Sequence, residues 1–180
     1  GRVNYNYLQK YLFSFTFRRD GSSKFGENVR WGSFPSIALG WTVSDEKFMD
    51  WSRGVLDYCK LRASWGKSGR QFDQPYIALG LLEASDPFLG YPTVLPDFGM
   101  GLMNQGLTWE KTDQYDLGID MDLFNHRLAV TLDYYYRYTD KLLYLIVLPG
   151  NYSGYIQQWQ NAYCISNQGV ELDIKWNVLR

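Results

Sequence analysis

Histidine and cysteine are scarce in this chain, and their scarcity limits the chemistry that it can perform. The 180 residues include one histidine, His126, and two cysteines, Cys59 and Cys164. Two cysteines cannot form a disulfide-rich framework or a four-ligand zinc site of the usual kind. A single histidine makes a Ser–His–acid triad or a histidine-rich metal site hard to build. The sequence therefore predicts no catalytic residue, no metal and no cofactor, and we expect that the protein is not an enzyme.

Long apolar runs and an excess of either charge are also missing. The longest apolar run, Leu142 to Leu148, has seven residues, whereas a membrane-spanning helix needs about 20. The 18 Lys and Arg residues are balanced by 19 Asp and Glu residues, so the charge does not predict a nucleic-acid partner. The chain begins at Gly1 without Met and without a charged-then-apolar leader, which favours an internal segment or a processed chain.

Aromatic residues and a two-residue period are what the sequence has in abundance. Aromatic residues make up 18% of the chain and hydrophobic residues 46%, which is typical of a folded protein. Apolar and polar residues alternate over six segments, and this alternation predicts β-strands with one apolar and one polar face. The predicted strands cover residues 7–18, 34–44, 58–69, 108–123, 127–139 and 167–178.

The length of these strands favours a membrane barrel. Strands in soluble domains have about 5–6 residues, whereas a strand that crosses a membrane needs about 9–11. We therefore expect an all-β fold, an antiparallel up-and-down transmembrane β-barrel segment of about six long strands that is open as a fragment. A soluble, aromatic-rich β-sandwich that binds carbohydrate is the alternative, because its strands alternate too.

The connections between the predicted strands differ in length. Short connections are predicted at 124–126 and at 45–57, where Ser44 is expected to cap a helical turn, and longer ones at 19–33, 70–107 and 143–166. Short turns at one end and long loops at the other are typical of outer-membrane barrels. This orientation places aromatic residues of the lipid-facing side at both ends of the strands: Phe17, Trp65, Tyr136 and Tyr138 at the outer rim, and Trp41 and Trp176 at the inner rim.

Carboxylates are numerous on the polar faces, and two interpretations of them remain open. A pair of carboxylates can catalyse hydrolysis of a glycosidic bond. Basic residues on neighbouring strands instead favour a wall of paired charges that lines the barrel. The carboxylates in question are Asp116, Asp120, Asp122, Asp133, Glu171 and Asp173, and the basic residues are Lys60, Arg62, Arg137 and Lys175.

Several sequence blocks, in order along the chain, resemble one family of transporters. They read RRDGSSKFG at 18–26, RWGSFPS at 30–36, GW at 40–41, KLRASWG at 60–66, LTWEKT at 107–112 and NQGVE at 167–171. This order resembles the barrel of SusC/RagA-type TonB-dependent transporters, outer-membrane nutrient importers of Bacteroidetes-type bacteria. Arg70 departs from the Asn that is usual there, and 71–103 follow no pattern of the family.

The resemblance implies what the whole protein does. It implies that residues 1–180 are part of the barrel domain of a TonB-dependent receptor with about 22 strands around a plug. The plug, the TonB-contacting segment and the signal peptide are N-terminal in the family and are expected to lie outside this chain. The implied function is import of oligosaccharides or peptides across the outer membrane, together with a SusD-like surface lipoprotein and energised by TonB.

Aromatic residues of the long loops are the predicted contacts for substrate or for the lid lipoprotein. Aromatic rings stack on sugar rings and on peptide side chains, and they also pack between proteins. The residues predicted for this role are Trp31, Tyr91, Tyr152, Tyr155 and Trp159.

Two expectations follow from the predicted barrel. Cys59 lies at the inner end of its strand and Cys164 near the outer end of another, so the two thiols are not expected to bond. An open sheet leaves two edge strands unpaired and an apolar face uncovered. We therefore expect residues 1–180 not to form a stable soluble protein alone.

Overall fold

The computed structural model describes residues 1–52, 54–73, 77–78, 80–97, 99, 101–149 and 154–177. Within this part the regular secondary structure is almost entirely β-strand, with three short 3₁₀ helices at Glu27–Val29, Val43–Asp45 and Lys47–Ser52. None of the described helices is long and apolar enough to span a bilayer. The strands are β1 (Arg2–Tyr7), β2 (Tyr11–Gly21), β3 (Trp31–Thr42), β4 (Leu56–Arg70), β5 (Leu82–Phe88), β6 (Tyr91–Pro96), β7 (Glu110–Leu123), β8 (Leu128–Val147) and β9 (Gln157–Trp176).

The main sheet has the predicted up-and-down order. Its strands run β1-β2-β3-β4-β7-β8-β9, each antiparallel to its neighbours, and β5 and β6 form a separate hairpin. This arrangement confirms an open antiparallel segment. A sandwich requires two packed sheets, so the sandwich alternative is wrong.

The six predicted long strands are present as β2, β3, β4, β7, β8 and β9, and the main sheet also contains a seventh, short strand that the sequence did not predict, β1. β1 pairs with β2 through Tyr7 and Tyr11, across a turn in which Leu8 and Gln9 have φ of 53° and 58°. Tight hairpins of this kind usually carry Asn-Gly or Asp-Gly. Leu-Gln gives no such signal, which is why residues 7–18 read as a single strand.

The prediction of a loop at 143–166 is wrong for the most part. β8 and β9 have 20 residues each and occupy both ends of this range. Their pairing shifts between Thr139 and Leu142, where Lys141 has a φ of 59°. A bulge of this kind moves the side chains that follow it to the other face. The alternation is therefore lost from the sequence although the strand continues. The hairpin of β5 and β6 likewise falls in the predicted loop 70–107.

The two faces of the sheet are assigned as predicted. Phe15 pairs with Ile37, Ile37 with Trp65, Trp65 with Tyr115 and Tyr115 with Tyr136. Paired residues share a face, so this row crosses one side of the sheet, and Leu39, Ala63 and Leu117 form a second row on the same side. We call this side the apolar face. Its members are half-buried or exposed, and Leu117 retains 55% of its accessible surface.

The short connections have the predicted positions. Phe124, Asn125 and His126 form a tight turn with φ values between 56° and 58°. A helical turn lies at Lys47–Ser52, but Ser44 does not cap it, because Ser44 lies inside the preceding 3₁₀ helix Val43–Asp45. Cys59 and Cys164 are both free thiols, which confirms that they are not bonded.

Candidate functional site: the loop core and the polar face

Buried apolar side chains concentrate at the end of the sheet that carries the long connections. They come from the connections on either side of β3 and β4 and from the segment that leads into β7. We call them the loop core: Phe25, Phe34, Phe72, Ile77, Ala78, Leu107 and Trp109. On β3, Phe34 lies on the same face as Ser36, because the two are two residues apart, and on the face opposite to that of Ile37. The loop core therefore covers the polar face, the side of the sheet opposite to the apolar face.

Three aromatic rings form the centre of the loop core. The ring of Phe25 lies 4.9 Å from that of Phe72 and 4.9 Å from that of Trp109. Phe34 meets the same indole edge-on at 5.6 Å. Edge-to-face contacts at these distances stabilise aromatic clusters beyond the burial of their area. One ring from each of three separated segments thus fixes the connections to each other and to β3.

Two glycines make room for the Phe34 ring. A Cβ placed on Gly32 or on Gly69 would fall inside the van der Waals radius of that ring. Gly32 belongs to the block RWGSFPS, and Gly69 lies on the neighbouring strand β4. The absence of a side chain at these positions lets an aromatic ring lie flat across the strands.

Lys24 joins two of the connections. Its ammonium group donates hydrogen bonds to the backbone carbonyls of Phe72 and Asp73, at 2.9 and 2.8 Å. The Trp109 indole N–H donates to the carbonyl of Arg30 at 3.3 Å. A charged donor satisfies carbonyls that loop geometry leaves without ladder partners. Lys24 and Trp109 therefore close the loop core with hydrogen bonds as well as with apolar contact.

Asn161 ties the segment before β7 to the extended parts of β8 and β9. Its amide accepts a hydrogen bond from the backbone N–H of Thr108 at 2.9 Å and donates one to the Thr108 carbonyl at 3.0 Å. It also donates to the carbonyl of Lys141 at 2.7 Å, within the bulge of β8. Asn104 donates to the carbonyl of Trp159 at 2.9 Å. The long strands and the loop core are thus held together as one structure.

Ion pairs cross the polar face below the loop core. Arg62 on β4 binds Asp120 on β7 through two hydrogen bonds of 2.7 and 3.0 Å, and it reaches Asp133 on β8 at 2.9 Å. Gly118 lies between them, and a Cβ there would meet both Asp133 and Arg62. One guanidinium therefore joins three strands, in the geometry that arginine favours with carboxylates.

A polar network continues toward the loop core. Ser64 donates to Asp116 at 3.0 Å, and Gln114 donates to the same carboxylate at 3.0 Å. Arg137 in turn donates to the side-chain amide oxygen of Gln114 at 3.1 Å. These contacts fit the wall of paired charges rather than a hydrolytic pair. Within the described residues, no group of three or more His, Cys, Asp and Glu side chains is arranged to hold a metal ion.

Small side chains leave an open depression beside these ion pairs. It has a volume of about 470 Å³, and Ser14, Ala38, Gly40 and Ser64 form much of its lining, with Arg62 at its border. A second depression of about 340 Å³ continues it past Ser36 and Gly66. The polar face of β2, β3 and β4 is thus an uneven surface with room for other groups.

Trp31 and Tyr91 do not join the loop core. Trp31 is the first residue of β3 rather than a loop residue; its ring packs on Gly21 and lies 5.2 Å below the Arg19 guanidinium. Tyr91 begins β6 and is 74% exposed beside the tip of the hairpin. The structure places these two predicted contacts on different elements.

Trp159, unlike Trp31 and Tyr91, lies against the loop core. Trp159 is a residue of β9, not of a loop, and packs against the loop core while remaining half-buried. Tyr155 lies before β9 and is half-buried. Tyr152 lies outside the described residues. Trp31, Tyr91 and Trp159 lie on three different strands, β3, β6 and β9.

Sequence reasoning missed Lys24 and Asn161. Lys24 is the only charged residue between Gly21 and Gly26 in the block RRDGSSKFG, and its position in a family block was a usable signal. Asn161 falls in the predicted loop 143–166 and gave no signal, because its role depends on the bulge of β8.

Comparison with known proteins gives the same result over the whole chain. Residues 1–180 match the family described as "TonB dependent receptor-like, beta-barrel". The TonB-dependent receptor SusC of Bacteroides thetaiotaomicron is 38% identical over 178 residues, which cover 97% of this chain and 18% of that protein. The TonB-dependent receptor P3 of Formosa agariphila is 40% identical over 178 residues, which cover 97% of this chain and 17% of that protein.

A solved structure has the same fold. The RagAB peptide importer in its "closed-closed" state superimposes with a TM-score of 0.86 at 27% identity, over 99% of this chain and 19% of that chain. The chain therefore spans less than a fifth of the length of the curated relatives that it matches.

Proposed function

The chain belongs to the family of TonB-dependent receptor β-barrels, which are outer-membrane proteins, and we propose that the protein it is part of imports oligosaccharides or peptides. Residues 1–180 are proposed to be one part of its barrel domain, with the plug, the TonB-contacting segment and the signal peptide outside them. In this role the protein moves a solute and is not an enzyme.

The observation that carries the proposal is the contrast between the two faces of one long-stranded sheet. The apolar face leaves Leu117, Leu132 and Ile174 exposed, which suits contact with lipid chains. The polar face carries the ion pairs of Arg62 and the adjoining depression, which suits a wet wall. A sheet with these faces separates a membrane from an aqueous lumen.

The depression on the polar face supports a plug as its neighbour. Ser14, Ala38 and Ser64 are short, so their backbones are accessible to another polypeptide. Arg62 and Asp116 bring hydrogen-bonding groups to the border of the same surface. An uneven surface that combines apolar area with hydrogen-bonding groups suits a contact with a plug that moves under TonB energy.

The end of the sheet with the loop core is proposed to be the extracellular mouth. There the loop core covers part of the polar face, and Trp159 packs against it. We propose that Trp159 and Tyr155, with Tyr152, contact the solute. The exposed hairpin of β5 and β6, with Tyr91 near its tip, and Trp31 are proposed to contact a SusD-like lipoprotein that closes the mouth.

Growth on defined nutrients tests this function. A strain that lacks the gene should lose growth on either a starch hydrolysate or a casein peptide digest as the limiting nutrient, and the full-length protein should restore it. Trp159→Ala should slow uptake while leaving the amount of assembled barrel unchanged, because an exposed edge of the ring is removed and the loop core remains. Leu172→Ala on the apolar face of β9 is the matched control. Unchanged growth of the deletion strain on both nutrients would refute the proposed function.

A further inference from the structure

The connection between β3 and β4 carries two exposed aromatic side chains at the end of the sheet opposite to the loop core. Phe48 is 59% exposed and Trp51 is 82% exposed. Both belong to the 3₁₀ helix Lys47–Ser52. Side chains three residues apart lie above each other in a 3₁₀ helix, since it has three residues per turn. Phe48 and Trp51 therefore project from the same side of this short helix, which we call the foot.

Ring contacts connect the foot to the apolar face. The Phe48 ring lies 6.4 Å from Trp41, Trp41 stacks on Tyr11 at 6.5 Å, and Tyr11 stacks on Tyr7 at 6.3 Å. Trp41 shares its face with Leu39 by alternation along β3, and it pairs with Leu61 of β4. The foot thus turns toward the apolar face rather than toward the polar one.

Glu46 holds the foot in this position. Its carboxylate accepts a hydrogen bond from the Tyr11 hydroxyl at 2.6 Å and one from the Trp41 indole N–H at 3.3 Å. The Lys10 ammonium lies 3.9 Å from the same carboxylate and donates to the carbonyl of Asp45. The peptide N–H of Met49 bonds back to the Glu46 carbonyl at 2.9 Å. Glu46 therefore links β2 and β3 through its side chain and the first turn of the foot through its backbone carbonyl.

We propose that the foot is a lipid-binding element that lies in the phospholipid headgroup region at the short-connection end of the barrel, with Phe48 and Trp51 inserted at the boundary of the acyl chains. The partner follows from continuity, because the Trp41 side of the foot extends the lipid-facing surface without a gap. Aromatic rings favour this boundary, and Lys47 on the same turn supplies a cation for phosphate groups. Glu46 acts as a positioning residue.

This inference depends on the membrane location of the barrel and not on what it transports. A protein with a different solute would keep the foot, and a barrel without it would still carry the loop core. The two proposals therefore fail separately. Loss of growth tests import, whereas the test below reports only where Trp51 lies.

Fluorescence quenching locates Trp51 in the full-length protein. The protein is placed in nanodiscs made either of ordinary phosphatidylethanolamine and phosphatidylglycerol or of the same lipids with chains brominated near the headgroup. The emission of Trp51 is obtained by subtracting the spectrum of Trp51→Phe, and Trp51→Tyr provides a second subtraction. We expect brominated lipid to remove about half or more of this emission and aqueous iodide to remove little. Trp159→Phe is the control, and its difference emission should not respond to bromine.

Glu46 variants test the positioning role with the same signal. Glu46→Ala removes the acceptor for Tyr11 and Trp41, so quenching of Trp51 by bromine should fall and quenching by iodide should rise. Glu46→Gln keeps an acceptor oxygen and should retain most of the bromine effect. Quenching of Trp51 by iodide alone would place the foot in the aqueous phase and overturn the proposal. Protection from both quenchers would also overturn it, because a protein surface would then cover the foot.

Discussion

Phe34 and Leu117 are both strand residues with apolar side chains, yet they have opposite surroundings. Phe34 is 4% exposed within the loop core, whereas Leu117 is 55% exposed on the apolar face. The loop core buries its rings against other parts of the same chain. The apolar face obtains no such cover from this chain, and in a membrane it is covered by lipid. Burial thus divides the molecule into two regions. The chain buries the loop core by itself, whereas only a bilayer covers the apolar face.

The largest effect is expected when no lipid or detergent covers the apolar face. Residues 1–180 expressed without detergent should aggregate, because β1 and β9 present unpaired edges and the apolar face forms one exposed surface. Light scattering of the eluate from size-exclusion chromatography measures this. A soluble monomer with a cooperative thermal transition would contradict the division between the two regions.

Within the full-length protein, the loop core should depend most on its central indole. Trp109→Ala removes a ring that contacts Phe25 and Phe34 and should cost about 3–5 kcal/mol, the range for a large aromatic residue replaced by alanine in a core. The thermal midpoint of the barrel in detergent reports the loss. Trp176→Ala, at the exposed end of β9, is the control and should cost much less; an equal loss would mean that the loop core is not a packed core.

The next effect sharpens the comparison across the sheet. Leu132→Arg places a charge on the apolar face and should cost about 2–4 kcal/mol near the middle of the membrane. Ile119→Arg, on the residue that pairs with Leu132, should behave alike. The measured quantity is the fraction of heat-resistant barrel in the outer membrane.

The neighbouring residue supplies a matched control for this charge. Thr131→Arg introduces the same side chain on the polar face, where Thr131 already contacts Asp120, and should assemble almost normally. Asp120→Asn, the substitution that the alternation alone suggests, is a poorer control because Asp120 binds Arg62 through two hydrogen bonds. Equal losses for Leu132→Arg and Thr131→Arg would mean that the faces are assigned wrongly.

The two regions also differ in how far the sequence predicts them. The apolar face follows from the sequence, because one side of each strand meets lipid and the other meets water. Apolar and polar residues therefore alternate along the chain with a period of two. The ion pairs between Arg62 and the aspartates follow from the same pattern. The loop core does not follow from it. Phe25, Phe72 and Leu107 are far apart in sequence and meet only through tertiary contacts, which leave no period to detect.

Local geometry hid the remaining elements. β1 escaped prediction because its turn uses Leu8 and Gln9 at positive φ, and the extensions of β8 and β9 escaped because the bulge at Lys141 changes the alternation. The resemblance to a family found the blocks that build the loop core, since RRDGSSKFG contains Lys24 and Phe25 and LTWEKT contains Trp109. Their physical role became clear only when these segments were seen in contact.

A smaller effect is expected from the hydrogen bonds of the loop core. Lys24→Met keeps the length of the side chain and removes the donor to the carbonyls of Phe72 and Asp73. The loss should be about 1–3 kcal/mol, the range for carbonyls left without a charged partner. In this variant the rate of hydrogen exchange should increase more for the amides near residues 72–73 than for the amides of β3. Lys67→Met, whose ammonium pairs with Asp113 on the other face, is the control, and equal exchange in both variants would contradict the role of Lys24.

The smallest effect is expected at the opposite end, where the charge of Glu46 strengthens the hydrogen bonds that position the foot. The hydrogen bond from Tyr11, followed by that from Trp41, lowers the pKa of Glu46 below its usual value of 4.5, and the Lys10 ammonium acts in the same direction. A carboxylate with a lowered pKa in the folded protein contributes stability that is fully present above its unfolded pKa and is lost as the pH falls through the folded one.

Glu46→Gln should therefore be less stable than the unmodified protein at neutral pH by a constant amount. This difference in thermal midpoint should shrink below about pH 4.5. A difference between Glu46→Gln and the unmodified protein that stays constant through the acid range would mean that the charge of the Glu46 carboxylate does not strengthen its hydrogen bonds.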